Sequence, residues 1–117
     1  MKKELSRGAF KFGGKNIVIT GSGTGIGQAI AKKFAEEGAN IIIMGRRKAP
    51  LDYTLNIIGS IMKQKGTSGS VRAFAGVDVS DEQGIDRMFE EIEKEFGRVD
   101  ILVNNAGVSG PVKTFTN

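Results

Sequence analysis

An α/β fold, with helices covering both faces of a parallel sheet, is predicted by three observations. Four short apolar, β-branched runs alternate along the chain with segments of helical periodicity. Three of those runs are apolar throughout rather than alternating, which is how strands read when both of their faces are buried. Glycine is abundant, with seventeen in 117 residues, and it clusters at junctions between runs and helical segments instead of forming a repeat.

The first run, Ile17-Val18-Ile19, predicts the first strand. A helix follows from about Gly25-Ile26 to Glu37, with Ala29, Ile30, Phe34 and Ala35 inward, Lys32, Lys33, Glu36 and Glu37 outward, and Gly38 as its stop. Ile41 to Met44 predicts the second strand. The second helix opens at Ala49-Pro50, where proline suits the first helical position, and runs through Leu51, Leu55, Ile58, Ile61 and Met62 until Lys65 to Ser70 breaks it. Val71 to Val77 is the third strand. The third helix has the sharpest start, because Ser80 and Gln83 stand at capping-box spacing and Asp81 and Glu82 complement the positive end of the helix dipole. Ile85, Met88, Phe89, Ile92 and Phe96 form its buried stripe, and Gly97 ends it. Ile101-Leu102-Val103 is the fourth strand, and no strand is expected after Gly110-Pro111.

Right-handed crossovers arrange these elements as half of a doubly wound parallel sheet, about four strands and three helices, in the order third, second, first, fourth. The winding direction switches between the first and fourth strands. Ligands of such sheets bind at the carboxyl ends of the strands beside the switch, so the loops after Thr20 and Val103 are expected to share a site.

Composition narrows the function. The hydrophobic and charged fractions, 39% and 26%, are those of an ordinary globular domain, and 117 residues suffice for one core but not two. Residues 1–12 read as an N-terminal extension and 13–117 as the domain. With no cysteine and no histidine, disulfides, thiolate metal sites and the commonest general base are excluded. No segment has the apolar length of a signal peptide or a membrane helix, so a soluble cytoplasmic protein without a membrane partner is expected. The net charge of +4 is spread among acidic residues along the helices, with no basic face interleaved with aromatics, which argues against a nucleic-acid partner.

The chemistry concentrates in Thr20-Gly21-Ser22-Gly23-Thr24-Gly25-Ile26-Gly27, placed between a strand and a helix. A pyrophosphate reaches a helix N-terminus only through a tight turn with no Cβ in its path. Gly21 permits the turn, Gly25 the approach and Gly27 the packing of helix on strand. Amides from Thr24 to Ile26, with the hydroxyls of Ser22 and Thr24, would hold phosphates. The G-x-G-x-x-G spacing is not met, since Ile26 takes the last glycine's place, and no Gly-Lys-Ser/Thr follows to make a P-loop. A merely flexible turn is the alternative.

The second strand ends in Met44-Gly45-Arg46-Arg47-Lys48. An NAD site would carry a carboxylate about twenty residues past the glycine loop, to bind the ribose 2′-hydroxyl. Three cations stand there instead, which points to NADP over NAD. Arg46 is the candidate clamp for the 2′-phosphate and Arg47 or Lys48 its outer partner. A solvated basic turn is the alternative reading.

The spacing Thr-Gly-x-x-x-Gly-x-Gly resembles that of the short-chain dehydrogenase/reductase family, whose fold is Rossmann-like. Two further stretches are similar to family motifs in the right order: Asp78-Val79, and Asn104-Asn105-Ala106-Gly107 after Asp100-Ile101-Leu102-Val103. The resemblance covers roughly Gly13 to Gly107. It implies that Asp78 and Val79 flank the adenine, that Asn105, Ala106 and Gly107 line the ribose, and that Asn104 helps hold the strands. Taken alone, Asp78 also fits a helix-entry residue, and the asparagines fit ordinary turns.

The resemblance further implies an NADP-dependent oxidoreductase acting on a carbonyl, alcohol or enoyl small molecule, and a homo-oligomer. It also implies a catalytic serine and a tyrosine four positions before a lysine, which this sequence lacks. Tyr53 is followed at that spacing by Ile57 and is expected to be structural, and Asn117 lies too close to Gly107 to be the family's catalytic asparagine. An inactive fragment of a longer enzyme is therefore expected, with an exposed, unpaired edge at Ile101 to Val103. The alternatives are a non-catalytic NADP(H)-binding or redox-sensing module and a truncated or split reading frame.

Overall fold

The computed structural model describes residues 10–21, 25–105 and the backbone of 113–116. Its elements are β1 (Asn16–Thr20), α1 (Gly25–Glu36), β2 (Asn40–Gly45), α2 (Lys48–Lys65), β3 (Val71–Ala75), α3 (Glu82–Phe96), β4 (Ile101–Asn104) and β5 (Lys113–Thr116). The sheet order is β3-β2-β1-β4-β5. The first four strands are parallel, with Ile17 beside Ile41 and Ile101, and Ile41 beside Val71.

Successive strand side chains point to opposite faces, and this is why the apolar runs are unbroken. Ile17, Ile19, Ile41 and Ile43 face α1 and α2, where they pack with Ala31, Ala35, Leu51, Ile58 and Met62. Val18, Ile42 and Met44 face Met88 and Ile92 of α3. Each fully buried isoleucine or methionine stabilises the fold by about 1.5–3 kcal/mol relative to exposure. Phe12 also docks on the first core, edge-to-face with Phe34 at 5.1 Å, although the sequence leaves it in an extension.

Four details differ from expectation. On α1 the inward alanines are Ala31 and Ala35, while Ala29 is exposed. The first turn of α2 begins at Lys48, with Arg47 as N-cap and Pro50 inside that turn; Tyr53 lies on the same helix, as expected, and is exposed. No capping box forms on α3: Asp81 is the N-cap, without a side-chain bond, because both the amide and the hydroxyl of Ser80 donate to Asp78 Oδ1. Along β4 only Val103 is fully buried, whereas Ile101 and Leu102 are half-buried.

The edge beyond β4 is also not open. β5 pairs with β4 antiparallel, Leu102 opposite Phe115, so a strand exists where none was expected and the backbone groups of β4 gain partners. Its cause is non-local: an apolar strand with a free edge recruits whatever short segment can reach it.

At the amino ends of the parallel strands a polar relay crosses the sheet. Asn16 Nδ2 donates to the carbonyls of Phe96 (3.2 Å) and Arg98 (2.9 Å), Asn40 Nδ2 donates to Asn16 Oδ1 (2.8 Å), and the Ser70 amide donates to Asn40 Oδ1 (3.0 Å). Among the described residues no buried side-chain polar atom lacks a partner, and no helix is long and apolar enough to cross a membrane.

Candidate functional site

The carboxyl ends of β1, β2, β3 and β4 converge on one side of the sheet. β1 ends at Thr20, and Gly21 turns the chain with φ 65°, a left-handed conformation that side chains rarely adopt. The Gly21 amide donates to Met44 O of β2 at 3.2 Å. Val77, just past β3, donates to Gly45 O at 3.1 Å. These bonds tie the ends of the three strands together.

Gly27 sits in the first turn of α1, against this turn. A Cβ there would overlap the Gly21 carbonyl oxygen and stand 2.9 Å from Asn105 Nδ2. Only glycine allows α1 to approach the ends of β1 and β4 so closely. Around Gly25, by contrast, the corresponding space is open. No acidic residue occupies the first turn of α1, so its positive end is unopposed within the helix.

Thr20 joins the two loops flanking the switch. Its hydroxyl accepts from the Asn105 amide at 2.7 Å and directs its own proton toward Asn104 Oδ1 (3.2 Å) and Val103 O (3.4 Å). The structure thus brings together Gly21, Gly25, Ile26, Gly27 and Asn105. Ser22, Thr24, Ala106 and Gly107 lie outside the described residues.

On the other flank, Arg46 and Arg47 are exposed at the β2–α2 turn. Lys48 is paired with Asp52 one helical turn on, at 2.7 Å. Asp78, beyond β3, accepts from the Ser80 amide at 2.9 Å and the Ser80 hydroxyl at 2.8 Å. Those two bonds, with a smaller contribution from the charge of Arg46, hold its carboxyl below the usual aspartate range. Three large hydrophobic side chains are notably exposed among the described residues, and two of them, Ile26 (65%) and Val79 (44%), lie at this rim.

The arrangement can seat an extended polyanion. At one end stands a helix N-terminus of the kind that receives phosphate, at the other stand two exposed arginines, and the exposed Ile26 and Val79 lie at the rim. Thr20 and Met44 were not singled out from sequence as site residues. For Thr20 the signal is its place as the last strand residue before the glycine turn. For the Met44 carbonyl there is no sequence signal, since the bond is made by backbone.

The sequence profile of the short chain dehydrogenase family matches residues 15–117. Meso-2,3-butanediol dehydrogenase of Serratia marcescens is 37% identical over 98 residues, covering 84% of this chain and 36% of that protein. Human hydroxysteroid dehydrogenase-like protein 2 is 41% identical over 96 residues, 82% of this chain and 23% of that protein. Among solved structures, L-sorbose reductase from Gluconobacter frateurii, complexed with NADPH and L-sorbose, superposes with a TM-score of 0.72 at 40% identity, over 87% of this chain and 36% of that one. A metagenomic short-chain oxidoreductase in complex with NADP gives 0.73 at 32% identity, over 86% of this chain and 43% of that one. The chain thus spans a third or less of the length of many curated relatives, and 36% of the first named here. A family profile that covers all but the first fourteen residues, and a glycine turn, helix tip and Asn104-Asn105 pair meeting at the sheet's switch point, establish that this chain belongs to the short-chain dehydrogenase family.

Proposed function

We propose that residues 13–117 form the dinucleotide-binding part of an NADP(H)-dependent oxidoreductase acting on a small carbonyl, alcohol or enoyl compound. The observation that carries this reading is the seating of Gly27 beneath Gly21 and Asn105, a cradle that any Cβ would fill. Gly21, Ser22, Thr24, Gly25, Ile26 and Gly27 would hold the pyrophosphate, Asp78 and Val79 the adenine, and Asn105, Ala106 and Gly107 the ribose next to the nicotinamide. When bound, that cofactor supplies the hydride chemistry, and the residues of this chain bind and orient it.

The preference for NADP over NAD rests on Arg46 and Arg47. The turn after β2 offers two exposed guanidinium groups and no carboxylate to receive a ribose 2′-hydroxyl. The NADP and NADPH complexes named above agree with it. The exposure of Ile26 and Val79 fits the same reading, since a bound dinucleotide would cover both.

Calorimetric titration with NADPH and NADH tests it, both on this chain and on the complete protein. One charge-assisted hydrogen bond to the 2′-phosphate, worth about 1.5–3 kcal/mol, predicts NADPH binding tighter by about 10–100-fold. Equal affinities would reject the clamp, and absence of heat with either dinucleotide would reject the seat itself.

A further inference from the structure

One side-chain hydrogen bond joins α1 to α2. Thr54 lies on the buried stripe of α2 with Leu51, Ile58 and Met62, fully inaccessible among apolar neighbours. Its hydroxyl accepts from Nε2 of Gln28, on the first turn of α1, at 2.9 Å. Gln28 directly follows Gly27, the residue seated under the glycine turn. Thr54 sits early in the helix whose N-cap is Arg47. The bond therefore links the first turn of α1, proposed to hold the pyrophosphate, to the second turn of α2, the helix that follows the proposed 2′-phosphate clamp.

From this placement we propose that Gln28 is a positioning residue for cofactor choice, fixing through Thr54 the distance between the α1 tip and the Arg46-Arg47 turn. This rests on the NADP reading given above. A ligand with a 2′-phosphate spans both ends and needs the distance held. A ligand without that phosphate engages the α1 tip but not the cations, and is indifferent to it. The turn itself is braced from α2 in a second way, since Leu51 packs 3.6 Å from the position a Cβ would take on Gly45, immediately before Arg46. A small rotation of α2 would thus carry the arginines with it.

The test is titration of the complete protein, wild type and variants, with NADP+ and NAD+, alongside thermal unfolding. Gln28→Leu removes the donor at similar volume, and Thr54→Val removes the acceptor. Each is expected to weaken NADP+ by roughly tenfold while NAD+ changes less than about twofold, and the double variant should lose no more than either single one. Thr54→Ser, which keeps the hydroxyl, should retain the wild-type ratio. If both dinucleotides weaken equally, or the ratio stays fixed while the melting temperature drops, the bond is structural and the proposal is overturned. If the wild-type protein itself does not prefer NADP+, the underlying cofactor reading has failed, which is a separate and recognisable outcome.

Discussion

The amide of Asn16 donates to Oδ2 of Asp100 at 2.8 Å, and the amide of Asp100 returns a bond to the carbonyl of Asn16 at 2.8 Å. This reciprocal pair joins the starts of β1 and β4, which lie 84 residues apart in sequence. It secures the end of the sheet opposite the candidate site. The other carboxylate oxygen of Asp100 is held by Arg98 Nε at 2.8 Å.

A pH dependence follows from that pair. The Asn16 amide, aided by Arg98 and opposed by burial, holds the Asp100 carboxyl below the ordinary aspartate value. A depressed folded-state value stabilises at neutral pH, and the contribution is lost as pH falls below about 4 toward the lowered value. Urea unfolding of wild type and Asp100→Asn at pH 7 and pH 3 checks this: the variant should lose less stability between the two. Asp100→Ala, which strands the buried Asn16 amide, should cost about 1–3 kcal/mol at pH 7.

Thr20 gives a second expectation, at the other end of the same strands. Thr20→Val keeps the shape but removes the acceptor of the Asn105 amide, and should cost about 1–3 kcal/mol in chemical denaturation. Thr20→Ser keeps the hydroxyl and loses one methyl, so its cost should stay near 1 kcal/mol. A valine variant as stable as the serine one would show that the hydroxyl bridge between the loops contributes nothing.

The elements that sequence predicted well are those whose burial is periodic. The stripe Ile85, Met88, Phe89, Ile92, Phe96 and the runs at Ile17 and Ile41 have no other economical packing, and the structure packs them so. Errors fall where a local signal competed with a neighbour. Ser80 has the sequence of an N-cap, but Asp78 two residues earlier offers its carboxylate to both the amide and the hydroxyl. Ala29 and Ala31 are equally apolar, and only the angle of α1 on the sheet decides which is covered. β5 and the Asn16-Asn40-Ser70 relay depend on strands brought together from distant segments, and no local pattern announces them. For the site, glycine spacing located the turn, and Arg46 stood out through the missing carboxylate. The bond from Gln28 to Thr54 required the helices to be docked first.

Charge reversal at Arg46 separates the clamp from a solvated turn. Arg46→Asp should weaken NADPH by about 10–100-fold and improve NADH, inverting their ratio in the complete protein. Because Arg46 is exposed, the wild-type affinity for NADPH should also fall more steeply with salt than that for NADH. Without any ligand, the loss of this positive charge should let the Asp78 carboxyl titrate higher, which NMR can follow. An unchanged NADPH/NADH ratio would remove Arg46 from the site.

Two glycine-to-alanine substitutions, chemically identical, should have opposite signs. At Gly27 the new methyl meets the side-chain amide of Asn105 and, more severely, the Gly21 carbonyl oxygen, which is backbone and cannot turn aside, so α1 must shift away from the strand ends. Overpacking of this kind costs about 1–3 kcal/mol, and because it displaces the proposed phosphate seat, NADP(H) affinity should fall with it. At Gly59, in the middle of α2, a methyl meets nothing within 4 Å and the backbone is not in the left-handed region. Here alanine's helix propensity dominates, and the variant should gain about 0.5–1 kcal/mol with cofactor affinity unchanged. Denaturant titrations of the two variants beside wild type read both signs. If Gly27→Ala were as stable as wild type and bound dinucleotide normally, the close approach of α1 to β1 would not be needed, and the cradle would lose its physical basis.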